Sequence, residues 1–238
     1  MIQFQEINKS FGKLRVLNNL SMELLRGQSV AIVGPNGSGK TTLIKTILGM
    51  VVPDSGSILF DGQAIGLDAN YRSRIGYMPQ IGRYPDNMSI GQLFEMMQDL
   101  RDQPSSHLDR DLIDAFKLEH LFHKTMRTLS GGTRQKVSAA LAFMFNPDVL
   151  ILDEPTAGLD PLSCELLKEK VLLCQQQNKL LILTSHIMSD LEELSTHIAY
   201  LSDGNCLFYK PIKEIKNETG QMRLGKAIAQ IMAGEYQC

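Results

Sequence analysis

The first eighty residues contain several strand patterns and one helical pattern. Apolar and polar residues alternate in "IQFQEI" at 2–7, and "GQSVAIVG" at 27–34 is mostly apolar, so both segments predict β-strands. "TTLIKTILGM" at 41–50 has helical spacing and predicts a helix that ends near Gly49. Further short strands are predicted for 20–25, 56–62 and 74–79.

From Gln80 onward the apolar residues follow helical spacing. Helices are predicted for 88–100, 109–118 and 130–145. Ser89 is the predicted N-cap of the first helix, and Gln92, three residues later, suits a capping box. Because these helices follow one another without intervening strands, we predict a helical insertion at 81–146.

Strands and helices alternate again after the insertion. Strands are predicted for 148–153, 179–185, 197–204 and 206–210, with helices at 161–177 and 188–194. Apolar strands separated by helices predict an α/β fold whose parallel sheet is covered on both faces. We therefore expect a single domain with a core at 1–80 and 147–210, followed by a tail at 211–238 with weak helical character.

Composition narrows the classes of function. The 238 residues are 43% hydrophobic and 21% charged, as in an ordinary globular protein, and the net charge of −2 gives no general attraction to nucleic acid or anionic lipid. The four cysteines have no metal-ligand spacing, which favours reduced thiols in the cytoplasm. No apolar run approaches the roughly 18 residues of a transmembrane helix. We expect a soluble protein that takes any membrane part from a partner.

The segment "GPNGSGKTT" at 34–42, called the phosphate loop below, matches the pattern GxxxxGK[ST] between a strand and a helix. Glycines let the chain turn so tightly that its N–H groups surround a phosphate, and the helix N-terminus adds partial positive charge. Lys40 is expected to reach the outer phosphates and Thr41 to bind Mg²⁺. The alternative, a chance glycine-rich turn, is disfavoured by this context.

The segment "VLILDEP" at 149–155 brings two carboxylates to the end of an apolar strand. Ligands of parallel sheets bind at this edge. Asp153 suits a contact to Mg²⁺, and Glu154 suits a general base acting on the attacking water. Such a pair alone would usually be a solvated turn, and the phosphate loop is what favours the catalytic interpretation.

Two polar residues follow other strands. His186 ends the strand "ILTSHI" and is predicted to contact the γ-phosphate or orient the attacking water, although a lone histidine is more often structural. Gln80 follows "IGYMP", and its amide oxygen could reach Mg²⁺ or that water. From physical chemistry alone, a solvated surface glutamine is the simpler interpretation of Gln80.

The segment "TLSGGTRQKV" at 128–137 runs from a Gly-Gly turn directly into a polar-faced helix. This is the form of a second phosphate-binding helix start. The phosphate loop already supplies one such start, and the second lies in the predicted helical insertion. The residues alone do not indicate which phosphate this second helix start would bind.

Together these segments resemble the ATP-binding subunit of an ABC transporter, over Phe11 to about Tyr209. The family's elements occur in its order: the aromatic Phe11, "GPNGSGKTT", Gln80, "LSGGTRQ", "LDEP", "GLD" and His186. The resemblance implies a P-loop NTPase (RecA-like) core with a mostly parallel sheet. It also implies N-terminal antiparallel strands and an inserted helical subdomain that holds the signature segment, Leu129–Gln135.

The resemblance implies a nucleotide site shared by two subunits, with ATP and Mg²⁺ as cofactors. Phe11 would stack on adenine, Glu154 would be the catalytic carboxylate, His186 would complete the site and Asp160 would line the subunit interface. The implied phosphate contacts are Gly34, Asn36, Gly37, Ser38, Gly39, Lys40, Thr41 and Thr42 from one subunit, with Ser130, Gly131 and Gly132 from the other.

The implied partners are a second copy or a paralogue of this chain, and an integral membrane permease. The permease would place a coupling helix against the face at 84–98, so the chain would lie on the cytoplasmic face of the inner membrane. No nucleic acid is expected. Thr133, where the family usually has Gln, and "AGLD", where many importers have "SALD", resemble the branch that pairs with ABC-2 type exporters.

Within that branch, "SGGTRQK" faintly resembles the ATPase of nitrous oxide reductase maturation, which is linked to copper or sulfur delivery. Twelve methionines and the pair His120 and His123 are compatible with copper binding. We favour a structural interpretation, because the methionines follow core-like helical patterns and the pair supplies only two ligands.

Two other functions are compatible with a nucleotide-binding motif. A non-transport ABC ATPase acting on nucleic acid or ribosomes usually carries two nucleotide domains, coiled-coil arms or zinc modules, none of which this sequence shows, and the net charge gives no basic groove. A regulatory nucleotide-binding module without turnover is the other rival. Glu154 and His186 argue against it.

Overall fold

A computed structural model describes residues 1–66, 69–101 and 108–235. Positions 102–107 of the predicted insertion and 236–238 of the predicted tail lie outside the described residues. The chain forms two compact units, the first made of Met1–Tyr71 and Leu180–Cys238, and the second of Arg72–Lys179.

The described strands are β1 (Ile2–Phe11), β2 (Leu14–Leu24), β3 (Ser29–Val33), β4 (Ser55–Phe60), β5 (Gln63–Ala64), β6 (Ile75–Met78), β7 (Val149–Asp153), β8 (Leu180–Thr184), β9 (His197–Ser202) and β10 (Asn205–Pro211). The described α-helices are α1 (Lys40–Ile47), α2 (Ile90–Arg101), α3 (Asp111–Ala115), α4 (Gly131–Phe143), α5 (Pro161–Gln176), α6 (Met188–Leu194), α7 (Ile212–Thr219) and α8 (Leu224–Glu235). Short 3₁₀ helices cover Asn70–Arg74, Leu118–Leu121 and Met126–Thr128.

The first unit contains two sets of paired strands. One is antiparallel, in the order β2-β1-β4-β5, and the alternating Ile2 and Phe4 of β1 are both buried. In the other set β3 pairs in parallel with β8 and with β9, and β9 pairs antiparallel with β10. Every residue of β3 and β8 is buried, as expected for a parallel sheet covered on both faces.

The second unit combines a parallel strand pair with helices. β6 and β7 pair in register, from Ile75 beside Val149 to Met78 beside Leu152. Helix α4 packs against β6, and its Val137 and Phe143 are buried. The largely buried Asp109 and the exposed Asp111 both accept hydrogen bonds from the buried Lys170 of α5, at 2.5 and 2.6 Å.

The structure confirms the predicted α/β class, with N-terminal antiparallel strands and mostly parallel pairing elsewhere. The predicted capping box is also confirmed, because the Ser89 N–H donates to Gln92 Oε1 at 2.9 Å and the Gln92 N–H donates to Ser89 Oγ at 3.2 Å. The described part of the tail holds two helices, α7 and α8, where the sequence indicated only weak helical character. The assignment of subdomains at 81 and 146 stays a prediction.

Candidate functional site

The phosphate loop joins β3 to α1 in the first unit. Gly39, the N-cap residue of α1, has φ 105°, and a Cβ on it would lie 2.6 Å from the carbonyl oxygen of Val16, so only glycine fits there. In the part of the chain that the structure describes, no side chain caps α1. Because the first N–H groups of a helix have no partner inside it, this start can receive an anion.

The side chains of the loop suit the same ligand. Ser38 is buried, and its Oγ has no hydrogen-bond partner among the described residues. Lys40 folds back over the loop, and its Nζ donates to the carbonyl oxygens of Gly34 at 2.8 Å and Pro35 at 2.9 Å. Thr41 is exposed and Thr42 half-buried in the first turn of α1, beyond the exposed Asn36 and Gly37. A buried hydroxyl without a partner and a lysine held over a glycine-rich turn fit phosphate oxygens.

The structure brings His186 to the same sheet edge as the phosphate loop. β3 and β8 are parallel neighbours, with Ala31 beside Leu183, and the loop and His186 both follow the carboxyl ends of these strands. His186 is exposed, and the turn that carries it is closed by the Ile187 N–H, which donates to Ser185 Oγ at 3.0 Å. An imidazole placed at this edge can exchange protons with a ligand there.

Phe11 lies at the end of β1 in the first unit. Its ring is 52% exposed, although a phenylalanine is usually buried, and Lys9 Nζ lies 5.4 Å from the ring centroid. An exposed aromatic face beside a cation suits stacking on a flat, electron-rich ring.

The second unit places the predicted carboxylates and Gln80 at one edge of its parallel strand pair. Asp153 is the last residue of β7, Glu154 follows it, and the exposed Gln80 lies two residues beyond β6. Glu154 has φ 52°, a left-handed conformation that is uncommon for residues other than glycine and that is concentrated at functional sites. Carboxylate and amide oxygens are ligands suited to Mg²⁺.

Tyr77, in the strand beside β7, has a perturbed hydroxyl. Burial and then the negative charge of Asp153 raise the pKa of Tyr77 to about 12. The hydroxyl therefore stays protonated beside this carboxylate across the physiological pH range. Tyr77 was not predicted as a site residue, and its place in the strand before Gln80 is the signal that could have indicated it.

The signature segment opens α4. Ser130 is its N-cap, and its Oγ accepts from the Thr133 N–H at 3.3 Å and lies 2.9 Å from Thr133 Oγ1. A Cβ on Gly132 would lie 2.8 Å from the carbonyl oxygen of Gly158, whereas a Cβ on Gly131 would meet nothing within 4 Å. Gly132 is therefore needed for the close approach of the Gly158 backbone, whereas a Cβ at Gly131 would meet no other atom within 4 Å.

Asp160 is tied to this segment by Lys136 of α4. Lys136 Nζ lies 2.7 Å from Asp160 Oδ2, and Asp160 caps α5 by accepting from Ser163 N–H at 3.0 Å and Ser163 Oγ at 2.8 Å. Lys136, followed by the Ser163 bonds, holds the pKa of Asp160 well below its usual range. The sequence predicted Asp160 but not Lys136. Asp-Pro followed by Ser163 was a readable helix-start pattern, whereas Lys136 had no local signal.

The predicted partner face around α2 carries two depressions within the second unit. One is a cavity of about 180 Å³ lined by Tyr77, Tyr84, Met97, Arg101 and Phe145 among others. Arg101 stacks over the ring of Phe145 at 4.9 Å, and burial lowers the pKa of its guanidinium. The other is an open groove of about 680 Å³ lined by Met88, Gln92, Glu95, Met96, Asp99 and Leu100 together with Asn87. The groove combines apolar side chains with two carboxylates.

The described residues also bear on membrane insertion and metal binding. No described helix has the length and apolarity to cross a membrane. No three described His, Cys, Asp or Glu side chains are grouped so that they could hold a metal ion. His120 and His123 are both exposed, the first in the 3₁₀ helix Leu118–Leu121 and the second just beyond it.

Comparison with known proteins gives a consistent set of relatives. A family model described as ABC transporter matches residues 17–157. The Nod factor export ATP-binding protein I of Burkholderia lata is 32% identical over 207 residues, covering 85% of this chain and 68% of that protein. The protein of the same name from Cupriavidus metallidurans is 32% identical over 225 residues, covering 92% of this chain and 74% of that protein.

Solved structures give the same fold. An ATP binding subunit of an ABC transporter aligns with a TM-score of 0.90 at 24% identity, covering 98% of this chain and 99% of that one. A dimeric ATP-binding cassette in a post-hydrolysis state, bound to ADP and Pi, aligns with a TM-score of 0.78 at 23% identity, covering 89% and 98%. The family model matches 141 residues of this chain, and the relatives above are more than 30% identical to it. The chain therefore belongs to the ABC transporter family of ATPases.

Proposed function

We propose that this chain is the ATP-hydrolysing subunit that powers an exporter through a separate membrane subunit. The observation that carries the proposal is the open start of α1, with its buried Ser38 hydroxyl and the Lys40 ammonium held over the loop. These groups bind the phosphates of ATP, and Phe11 stacks on its adenine. The loop around the phosphates is completed by Gly34, Asn36, Gly37, Gly39 and Thr42.

Hydrolysis is assigned to the residues that follow the parallel strands. Glu154 takes the proton of the attacking water, and His186 and Gln80 orient that water and the γ-phosphate. Thr41, Asp153 and Gln80 would hold Mg²⁺, which when bound neutralises charge on the phosphates. The left-handed backbone of Glu154 supports its assignment, because strain of this kind persists where a side chain must be aimed.

Two chains, either two copies or this chain and a paralogue, share each nucleotide. One supplies its phosphate loop, and the other supplies Ser130 with the N–H groups of Gly131 and Gly132. Binding of ATP closes the pair because the γ-phosphate adds charge-assisted hydrogen bonds between the chains, and hydrolysis reopens it. Asp160, fixed by Lys136, lies at the interface between the chains in this proposal.

The membrane partner docks on the face at 84–98 of the helical insertion, 81–146, while 1–80 and 147–210 bind the nucleotide. The apolar lining of the groove, together with Glu95 and Asp99, is complementary to a permease segment that carries both apolar and basic side chains. The chain would then work on the cytoplasmic face of the inner membrane. Purifying the tagged chain from detergent-solubilised membranes identifies this partner, and recovery without any membrane protein contradicts the assignment.

Export is supported by the relatives from Burkholderia lata and Cupriavidus metallidurans, which are named as export ATP-binding proteins. A narrower proposal, copper or sulfur delivery in nitrous oxide reductase maturation, is supported by the resemblance in "SGGTRQK". In either case the permease would contact the cargo. The alternative is a non-transport ABC ATPase that acts on nucleic acid or ribosomes.

The proposed chemistry is tested by ATP hydrolysis with purified protein. Glu154→Gln should lower kcat by at least about a hundredfold, because the general base is lost. The variant should also accumulate as an ATP-loaded dimer in size-exclusion chromatography. Glu169→Gln, an exposed residue of α5, is the matched control and should leave kcat unchanged.

The other outcomes separate the rivals. A fully active Glu154→Gln protein would remove Glu154 from its role. Wild-type protein that binds nucleotide without turnover would favour a regulatory module. Stimulation by RNA or ribosomes, and not by the membrane partner in liposomes, would favour the non-transport alternative.

A further inference from the structure

The sequence assigned no function to the tail, and its helices lie against the helix that follows His186. Helix α6 begins at Met188, two residues after His186, and α8 contacts both α6 and α7. Leu191 of α6 and Leu224 and Ala227 of α8 are all buried. We call α7 and α8 the C-terminal helix pair.

Helix α6 has little stability of its own. It has seven residues, and isolated helices shorter than about 12 residues are marginal in water. Its N-cap residue is Ile187, whose apolar side chain cannot accept a hydrogen bond from the first turn. The position of α6, and with it the direction in which the preceding turn presents His186, must therefore come from tertiary contacts.

Two of these contacts lie at opposite ends of α6. At its carboxyl end the buried Ser29 Oγ donates to the Leu194 carbonyl oxygen at 2.5 Å, which fixes the helix to β3. At its amino end a Cβ on Gly225 of α8 would lie 3.4 Å from Met188 Cγ, so α8 approaches this end closely. The second contact fixes the end of α6 nearest to His186.

Glu192 joins α6 to both helices of the pair. Its Oε1 accepts from Lys216 Nζ of α7 at 2.5 Å, and its Oε2 accepts from the Leu224 N–H that opens α8 at 3.0 Å. Lys216 first and then the Leu224 N–H hold the pKa of Glu192 below its ordinary value, so the carboxylate is ionised at neutral pH. The Glu192 carboxylate thus links α6 to both α7 and α8. Hydrogen bonds to an ionised acceptor are stronger than those between neutral groups.

We propose that the C-terminal helix pair holds α6 and thereby positions His186 for ATP hydrolysis, with Glu192 as the positioning residue. The proposal rests on the function proposed above, because it assigns the tail a part in the same reaction. Neither Glu192 nor Lys216 contacts nucleotide in this proposal. Changes at these residues should therefore act on turnover and leave the affinity for ATP alone.

The test compares Glu192→Ala with Glu218→Ala in the full chain. Glu218 of α7 accepts from Lys210 Nζ at 2.6 Å, so its loss removes an ion pair of the same helix pair that does not reach α6. Glu192→Ala should lower kcat by at least about fivefold with the KM for ATP changed by less than about twofold, because a misplaced catalytic group slows chemistry. Glu218→Ala should keep both constants within about twofold of wild type.

Two further readouts separate positioning from general destabilisation. Hydrogen exchange at 185–191 should accelerate in Glu192→Ala and not in Glu218→Ala. Glu192→Gln keeps an acceptor for the Leu224 N–H and should recover part of the lost kcat. Equal kcat and equal exchange in the two alanine variants would overturn the proposal, as would a rise in KM that matches the fall in kcat.

Failure of the proposed function gives a different result from failure of the positioning role. If wild-type protein does not hydrolyse ATP, the assignment of turnover fails, and hydrogen exchange alone decides whether Glu192 holds α6. If wild type hydrolyses ATP and Glu192→Ala is unaffected in both kcat and exchange, only the positioning role fails.

Discussion

The two glycine-rich helix starts of this chain are built differently. Helix α1 begins after Gly39 without a side-chain cap in the described residues, and the buried Ser38 hydroxyl beside it has no partner there. Helix α4 begins with Ser130, whose Oγ already binds the N–H and lies 2.9 Å from the hydroxyl of Thr133. The first start is open to an anion, whereas the second is closed on itself.

This difference indicates how the two starts can divide one task. At the open start, the Ser38 hydroxyl can bind a phosphate without first losing a partner among the described residues, whereas Lys40 must exchange two carbonyl oxygens of the loop for phosphate. The self-capped start is stabilised without ligand, because Ser130 Oγ already accepts from the Thr133 N–H. We infer that the first start binds ATP in the single chain, and that the second engages only when a second chain brings a nucleotide to it.

The largest expected effect is at the first start. Lys40→Ala should abolish ATP turnover, a fall of at least about a hundredfold, because the ammonium held over the phosphate loop is lost. Lys45→Ala, an exposed lysine of the same helix, is the control and should keep wild-type turnover. A Lys40→Ala protein with normal turnover would contradict the assignment of this start.

The sharing of the two starts is tested in the same assay. Ser130→Arg should be inactive alone, and mixing it with Lys40→Ala chains should restore partial activity. The restoration is expected because a mixed pair joins an intact Lys40 to an intact Ser130. Full activity of Ser130→Arg alone would exclude a shared site.

A smaller effect should separate the two glycines of the second start. Gly132→Ala forces a Cβ to 2.8 Å from the Gly158 carbonyl oxygen and should lower the free energy of unfolding by about 1–3 kcal/mol. Gly131→Ala meets nothing within 4 Å and should raise it by about 0.5–1 kcal/mol, because alanine favours the helix. Urea denaturation measures both. Equal shifts in the two variants would mean that Gly158 moves freely.

The smallest effect should come from the self-cap. Thr133→Val removes the hydroxyl beside Ser130 and keeps the N–H that Ser130 caps, so it should cost about 0.5–1 kcal/mol of stability. Turnover should stay at or above the wild-type value, because Ser130 Oγ keeps the Thr133 N–H and loses only its contact with a neighbouring hydroxyl. Thr128→Val removes a comparable local bond, to the Thr125 carbonyl oxygen, and is the control. A large loss of turnover specific to Thr133→Val would show that Thr133 itself contacts nucleotide.

Local sequence patterns predicted most of the elements. The apolar runs at β3, β7 and β8, the capping box at Ser89 and Gln92, and the bounds of α6 were all readable, because each depends on residues within a few positions. The start of α5 after Asp160 was readable for the same reason. The first strand extends to Phe11, beyond its predicted end, because pairing with β2 and β4 continues past the alternating segment.

Contacts between distant segments were not readable. The bonds of Lys136 with Asp160, and of Glu192 with the Lys216 side chain and the Leu224 N–H, join residues 24 to 32 positions apart, and a single sequence carries no signal for such pairs. The tail looked featureless for the same reason. Helix α7 is short and α8 packs against both α6 and α7, so their order depends on packing more than on helix propensity.

The sequence by itself determined the motifs on which the proposed function rests: the order and spacing of the phosphate loop, the Asp153–Glu154 pair, His186 and the signature segment. These motifs are readable because each is defined by residues that are close together along the chain. Only the tertiary structure decided that Ser38 is buried beside the start of α1, which lysine holds Asp160, and what holds the helix after His186. Those properties depend on which groups find partners, and partners from remote segments are chosen when the chain folds.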